Sequence, residues 1–93
     1  MGAIRQRVAA FNTFIATQAT TRGYALVDLN GVLQAAVTAG AVPPFPSFST
    51  PTALFGPLVS LDGIHPSGAG HRLLAQAAAA AINAKFTTSL VVP

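Results

Sequence analysis

Gly23-Tyr24-Ala25-Leu26-Val27-Asp28 is the stretch on which the fold turns. Its apolar run has no polar alternation and lies between a glycine and an acid. That is the pattern of a parallel strand covered on both faces, and it predicts a strand over 24–28. Upstream, Ile4, Val8, Phe11, Ile15 and Ala19 recur at steps of four, three, four and four, with Phe14 widening the stripe. This spacing predicts an amphipathic helix over 3–22, stopped at Gly23 after the late basic residue Arg22. Downstream, Asp28 ends the strand and Asn30 is placed to cap a short helix through 31–37 that stops near Gly40.

From Ala41 to Leu61 the chain changes character. Pro43, Pro44, Pro46, Pro51 and Pro57 interrupt any regular ladder or helix, while Phe45, Phe48 and Phe55 mark the segment as more than a flexible linker. A loop over 41–61 with three phenylalanines is expected to lie down on a scaffold, where Phe45, Phe48, Phe55 and Leu58 can line an apolar pocket wall or serve packing alone. Pro66 then fixes the incoming chain and Ser67 is a good N-cap. Leu73, Leu74, Ala77, Ala78, Ala81 and Ile82 return to one side at helical spacing, predicting a helix over 68–85. The tail from Thr87 to Pro93 is expected to form no further element.

One strand is not a sheet. Its hydrogen bonds need neighbours, so the missing strands belong to a partner, or the chain is the carboxyl-terminal piece of a larger α/β domain.

Composition narrows the classes. The chain has 93 residues, long enough for one small domain, and 52% are apolar, which argues against wholesale disorder. Much of the apolar share is alanine, so the core is expected to be thin. Arg5, Arg7, Arg22, Arg72 and Lys85 face only Asp28 and Asp62, for a net charge of +3. The cations are scattered and not interleaved with aromatics, so the balance does not point to nucleic acid. With 8% charged residues, an isolated copy is poorly protected from association, and its surface reads as an interface for something else. There is no cysteine, hence no disulfide or thiolate chemistry. The run from Leu73 to Ile82 is well short of the roughly 20 residues a membrane span needs. No export signal is visible in this chain, and its compartment stays open.

The chemistry concentrates in 62–67, Asp62-Gly63-Ile64-His65-Pro66-Ser67. An imidazole titrates near neutrality, and an acid three residues earlier can accept its Nδ1 hydrogen and leave Nε2 free as a base. Gly63 eases the turn, and Pro66 and Ser67 tie it to the helix. The plain alternative is an ordinary turn before a helix, with Asp62 satisfying backbone amides. A metal held by Asp62, His65 and His71 is a weaker reading, because no fourth ligand is near; His71 reads as a structural hydrogen-bonding residue, and no metal or other cofactor is expected.

Ser60-Leu61-Asp62-Gly63-Ile64-His65-Pro66-Ser67, followed by Gly70-His71-Arg72-Leu73-Leu74-Ala75, resembles the last motif block of the SGNH hydrolases, the GDSL-type lipases and esterases. Phe11-Asn12 and the 23–30 stretch are similar to that family's last helix-to-strand step. The resemblance implies a partial domain over 1–93, the carboxyl-terminal fragment of a flavodoxin-like three-layer α/β fold. It also implies that Asp62 and His65 are two members of a Ser-His-Asp triad acting on a carboxylic ester, and that relatives of full length can be exported. The departures are as informative. No Gly-Asp-Ser triplet and no Gly-x-Asn-Asp block is present, and Ser47, Ser49, Ser60, Ser67 and Ser89 are not set for a nucleophile. Without nucleophile and oxyanion donors, no appreciable ester turnover is expected from this chain alone.

Two accounts follow. In the first, the chain supplies Asp62 and His65 to an ester hydrolase completed by a missing amino-terminal part or a complementing polypeptide. In the second, it is a non-catalytic small protein or fragment that binds a partner, or itself, through its apolar helices.

Overall fold

The computed structural model describes residues 2–93, which form three helices: α1 (Gly2–Arg22), α2 (Leu29–Thr38) and α3 (Gly68–Phe86). α1 ends in a left-handed turn at Gly23 (φ +70°), where Tyr24 N–H donates to the Ala19 carbonyl at 2.9 Å and Gly23 N–H to Thr20. This is the Schellman arrangement, which satisfies carbonyls the helix leaves free. α2 ends the same way, with Ala41 N–H on Ala36 O and Gly40 N–H on Val37 O, each at 3.0 Å. α2 begins at Asp28 rather than Asn30: the Asp28 carboxylate accepts from Gly31 N–H at 2.9 Å, so the acid that was to end a strand caps a helix instead.

The strand predicted over 24–28 does not form. Among the described residues no strand is present, and the only ladder element is an isolated antiparallel bridge between Val59 and Pro66. A strand requires a second one beside it, and no segment takes that place. The carboxyl-terminal tail is held elsewhere: the Asn83 side chain donates to Leu90 O at 2.9 Å and accepts from Leu90 N–H and the Thr88 hydroxyl. The α/β assignment, the flavodoxin-like three-layer fold and the membership in the SGNH hydrolases are therefore corrected. The described residues have helices as their only regular elements and lack the sheet that an α/β fold requires.

Of the three helices, only α2 and α3 pack together, and α1 packs on neither. Gly70 makes the α3 end of this arrangement. It is buried against the Leu58 carbonyl and Pro66, where any Cβ would collide with backbone. Ser67 caps α3, accepting from Gly70 N–H at 3.1 Å and donating its own hydroxyl hydrogen to Pro57 O.

The core is thin. Ala19 and Ala36 are the only buried apolar side chains among the described residues. The radius of gyration is 15.6 Å, against about 12 Å for a compact chain of this length. The accessible surface is 6880 Å², against about 5,000 Å² for a compact monomer of the same 9.4 kDa.

Candidate functional site

The loop before α3 is a closed turn built from local bonds. Gly63, at φ +72°, lets its own N–H reach Ser60 O at 3.0 Å, while Ser60 N–H reaches His65 O at 2.8 Å and Ser67 N–H reaches Leu58 O at 3.0 Å. The Phe55 ring lies over Gly63 so closely that a Cβ there would meet it at 2.8 Å. A left-handed φ and a ring in contact together require glycine.

Asp62 sits at the centre of this turn. Its Oδ1 accepts from the Ser60 hydroxyl at 2.6 Å, Ile64 N–H at 2.8 Å and His65 N–H at 2.9 Å, and its Oδ2 lies 2.6 Å from His65 Nδ1. The Ser60 hydroxyl, then the His65 ring and the two amides, hold the carboxyl well below the usual carboxylate range. An ionised carboxylate only accepts, so Nδ1 is the nitrogen that donates to it.

The acid and imidazole are thus brought together, but nothing that would make them a hydrolytic site joins them. The Ser60 hydroxyl is turned to Asp62, away from the imidazole, and the Ser67 hydroxyl is engaged with Pro57 and Gly70. The His65 side chain is 72% exposed, so the pair stands in water rather than in an excluded site. With no sheet to carry a nucleophile elbow, the ester-hydrolase reading and its catalytic triad are overturned. Among the described residues no three or more His, Cys, Asp or Glu groups gather as metal ligands, and the exposed His71 ring makes no hydrogen bond.

The proposed pocket wall does not come together either. Phe45 and Phe48 are largely exposed, and Phe55 packs on Gly63. Leu58 alone joins the apolar cavity of about 260 Å³ between α2, α3 and the 58–66 turn, beside Val32, Ala36, Ile64, Leu73 and Leu74. This cavity was not legible in the sequence, because it needs the α2–α3 contact to exist.

The larger apolar surface lies on α1. Ile4, Phe11, Phe14 and Ile15 are each more than half exposed, and Val8 is only slightly less so. Scattered exposed apolar residues are ordinary, but a stripe of them running from Ile4 to Ile15, ending before the buried Ala19, is the mark of an interaction face. Beside it, Tyr24 and Leu26 are exposed while Ala25 and Val27 are half-buried, an alternation with the two-residue period of an extended chain. No protein-family model, curated protein or solved structure matches the chain.

Proposed function

We propose that the chain is a non-catalytic binding polypeptide that docks through the apolar face of α1 onto another polypeptide whose own apolar face is rimmed by carboxylates. The observation that carries this reading is the surface left uncovered. The chain as a whole exposes about 1,900 Å² more than a compact monomer, and Ile4, Phe11, Phe14 and Ile15 of α1 are among its exposed large apolar residues.

The charges select the partner. Arg5 and Arg7 stand at one end of α1 and Arg22 at the other, and Arg22 is bonded only to Gln18, at 3.0 Å. Among the described residues no arginine or lysine is paired with a carboxylate. A second copy of the chain brings two acids against five cations, and of these Asp62 is engaged in its turn while Asp28 uses one oxygen to cap α2. A partner that brings carboxylates satisfies the cations that a homodimer would crowd together.

Two synthetic amphipathic helical peptides with identical leucine faces test this, one flanked by glutamates and one by lysines. Fluorescence anisotropy should show the acidic peptide binding at least about ten-fold tighter, as a few exposed charge pairs would give, with the difference shrinking as salt is added. Equal affinities, no binding of the acidic peptide, or a stable dimer of the chain that excludes it would each overturn the proposal.

A further inference from the structure

The segment that failed to become a strand presents the chemistry of one. Ala25, Leu26, Val27 and Asp28 carry backbone amides with no hydrogen-bond partner, and the carbonyls of Tyr24, Ala25 and Leu26 accept from nothing. In an extended run, the polar groups of alternate residues point to opposite edges. One edge therefore holds the Tyr24 carbonyl, the Leu26 amide and carbonyl, and the Asp28 amide, all free. On the opposite edge, the Val27 carbonyl is already taken by Leu29 N–H at 3.1 Å.

Open grooves flank the segment. One is walled by Ala81, Ala84 and Lys85 of α3, the other by Ala9, Asn12, Ile15 and Ala16 of α1. At the two ends of the Leu26 edge the Tyr24 amide is taken by Ala19 O and the Asp28 carbonyl by Val32 N–H, so the free groups are the four between them. Such a stretch is matched by another extended backbone, which gives affinity through main-chain hydrogen bonds while alternate side chains enter the grooves.

We infer that Tyr24–Asp28 is a docking site for an extended segment of the partner polypeptide, paired along the Leu26 edge. This rests on the proposed binding function and adds a second mode of contact to the helical face. The partner segment would carry alternating apolar residues, with a carboxylate placed toward Lys85.

The test uses the full chain and a short synthetic peptide of alternating valine and threonine with glutamate at its ends, followed by residue-resolved amide exchange. Exchange of the Leu26 and Asp28 amides should slow by about ten-fold or more at saturating peptide, and a peptide N-methylated on its pairing edge should leave them unchanged. Leu26→Pro removes the central donor while keeping Ala25 in the extended region, so the helices persist by circular dichroism. This variant should lose the valine–threonine peptide and retain the acidic helical one. Amides that are unaffected by the peptide, or that are already protected without it, would overturn the inference, as would undiminished binding by Leu26→Pro. Failure of the strand peptide alone leaves the helical-face reading standing, while failure of the helical peptide alone removes that reading and spares this one.

Discussion

Replacing Phe11 by glutamine separates an interface residue from a folding residue. Phe11 is 64% exposed on a helix that packs on no other helix. A phenylalanine offers about 200 Å² to bury, so about 130 Å² of Phe11 is left for a partner. At about 25 cal/mol per Å² that area corresponds to about 3 kcal/mol, or roughly 150-fold in affinity. The cost of ordering two surfaces reduces the observed effect, and a loss of at least about ten-fold is expected. The unfolding free energy should move in the opposite direction or not at all. Glutamine is the better helix former, and exposed substitutions of this kind stay within about 0.5 kcal/mol. Thermal unfolding followed by circular dichroism and anisotropy with the acidic helical peptide measure the two quantities on one preparation. A variant destabilised by about 2 kcal/mol or more would place Phe11 in a core, and one that binds like the parent would remove α1 from the interface.

Other perturbations address the frame that holds the turn. Ser67→Ala loses both the cap on Gly70 N–H and the bond to Pro57 O, and should cost about 2 kcal/mol in urea unfolding; an unchanged midpoint would mean that neither bond matters. Gly70→Ala should destabilise by about 1–3 kcal/mol although alanine favours helix, because its Cβ meets the Leu58 carbonyl; a stabilised variant would refute the close approach of α3 to the 58–66 turn. The Asp62 carboxyl, pulled down by the Ser60 hydroxyl and the His65 ring, has a lower pKa folded than unfolded, so its stabilisation is present above the unfolded value of about 3.9 and is lost as pH falls through the folded value. The Ile64 and His65 amide resonances should stay unshifted on acidification past about pH 4, and an inflection there would refute the arrangement. In Asp62→Asn the same two amides should exchange faster than in the parent, and equal exchange would show that the carboxylate does not hold the turn.

The helices were written in the sequence because their signals are local. The spacing of Ile4, Val8, Phe11 and Ile15 falls on α1, and Ser67 stands where α3 begins. What misled was an inference from local pattern to distant partners. Tyr24-Ala25-Leu26-Val27 has the composition of a buried strand, but a ladder is supplied by other segments, and none of this chain's segments supplies it. Asp28 shows how a single residue can mislead: a short polar side chain after an apolar run reads equally as a strand end and as a helix cap, and only the Gly31 amide in front of it decides. The bonds made by Asn83 to the tail were invisible for the opposite reason, since nothing in an asparagine of a helix's last turn announces which segment will fold back onto it.

The Asp-x-x-His pattern has a sufficient cause in the turn itself. Each of its elements satisfies a local requirement: Asp62 accepts from the Ile64 and His65 amides that a tight turn would otherwise leave without partners, Gly63 supplies the left-handed φ, and Ser67 starts the helix that ends the turn. The imidazole completes the set by filling the second carboxylate oxygen. A catalytic dyad would require these bonds as well, and so the motif by itself cannot distinguish the two. The distinction lies in what surrounds it, and around His65 there is solvent, with no nucleophile aligned to its Nε2 and no sheet to bring one. The larger deviation from an ordinary folded chain is elsewhere, in a helix that packs on no other helix and a backbone edge left largely unpaired. The two lie next to each other in the chain, and the cations Arg5, Arg7 and Arg22 all belong to the helix, which is why the proposed binding function rests on these features and not on the turn.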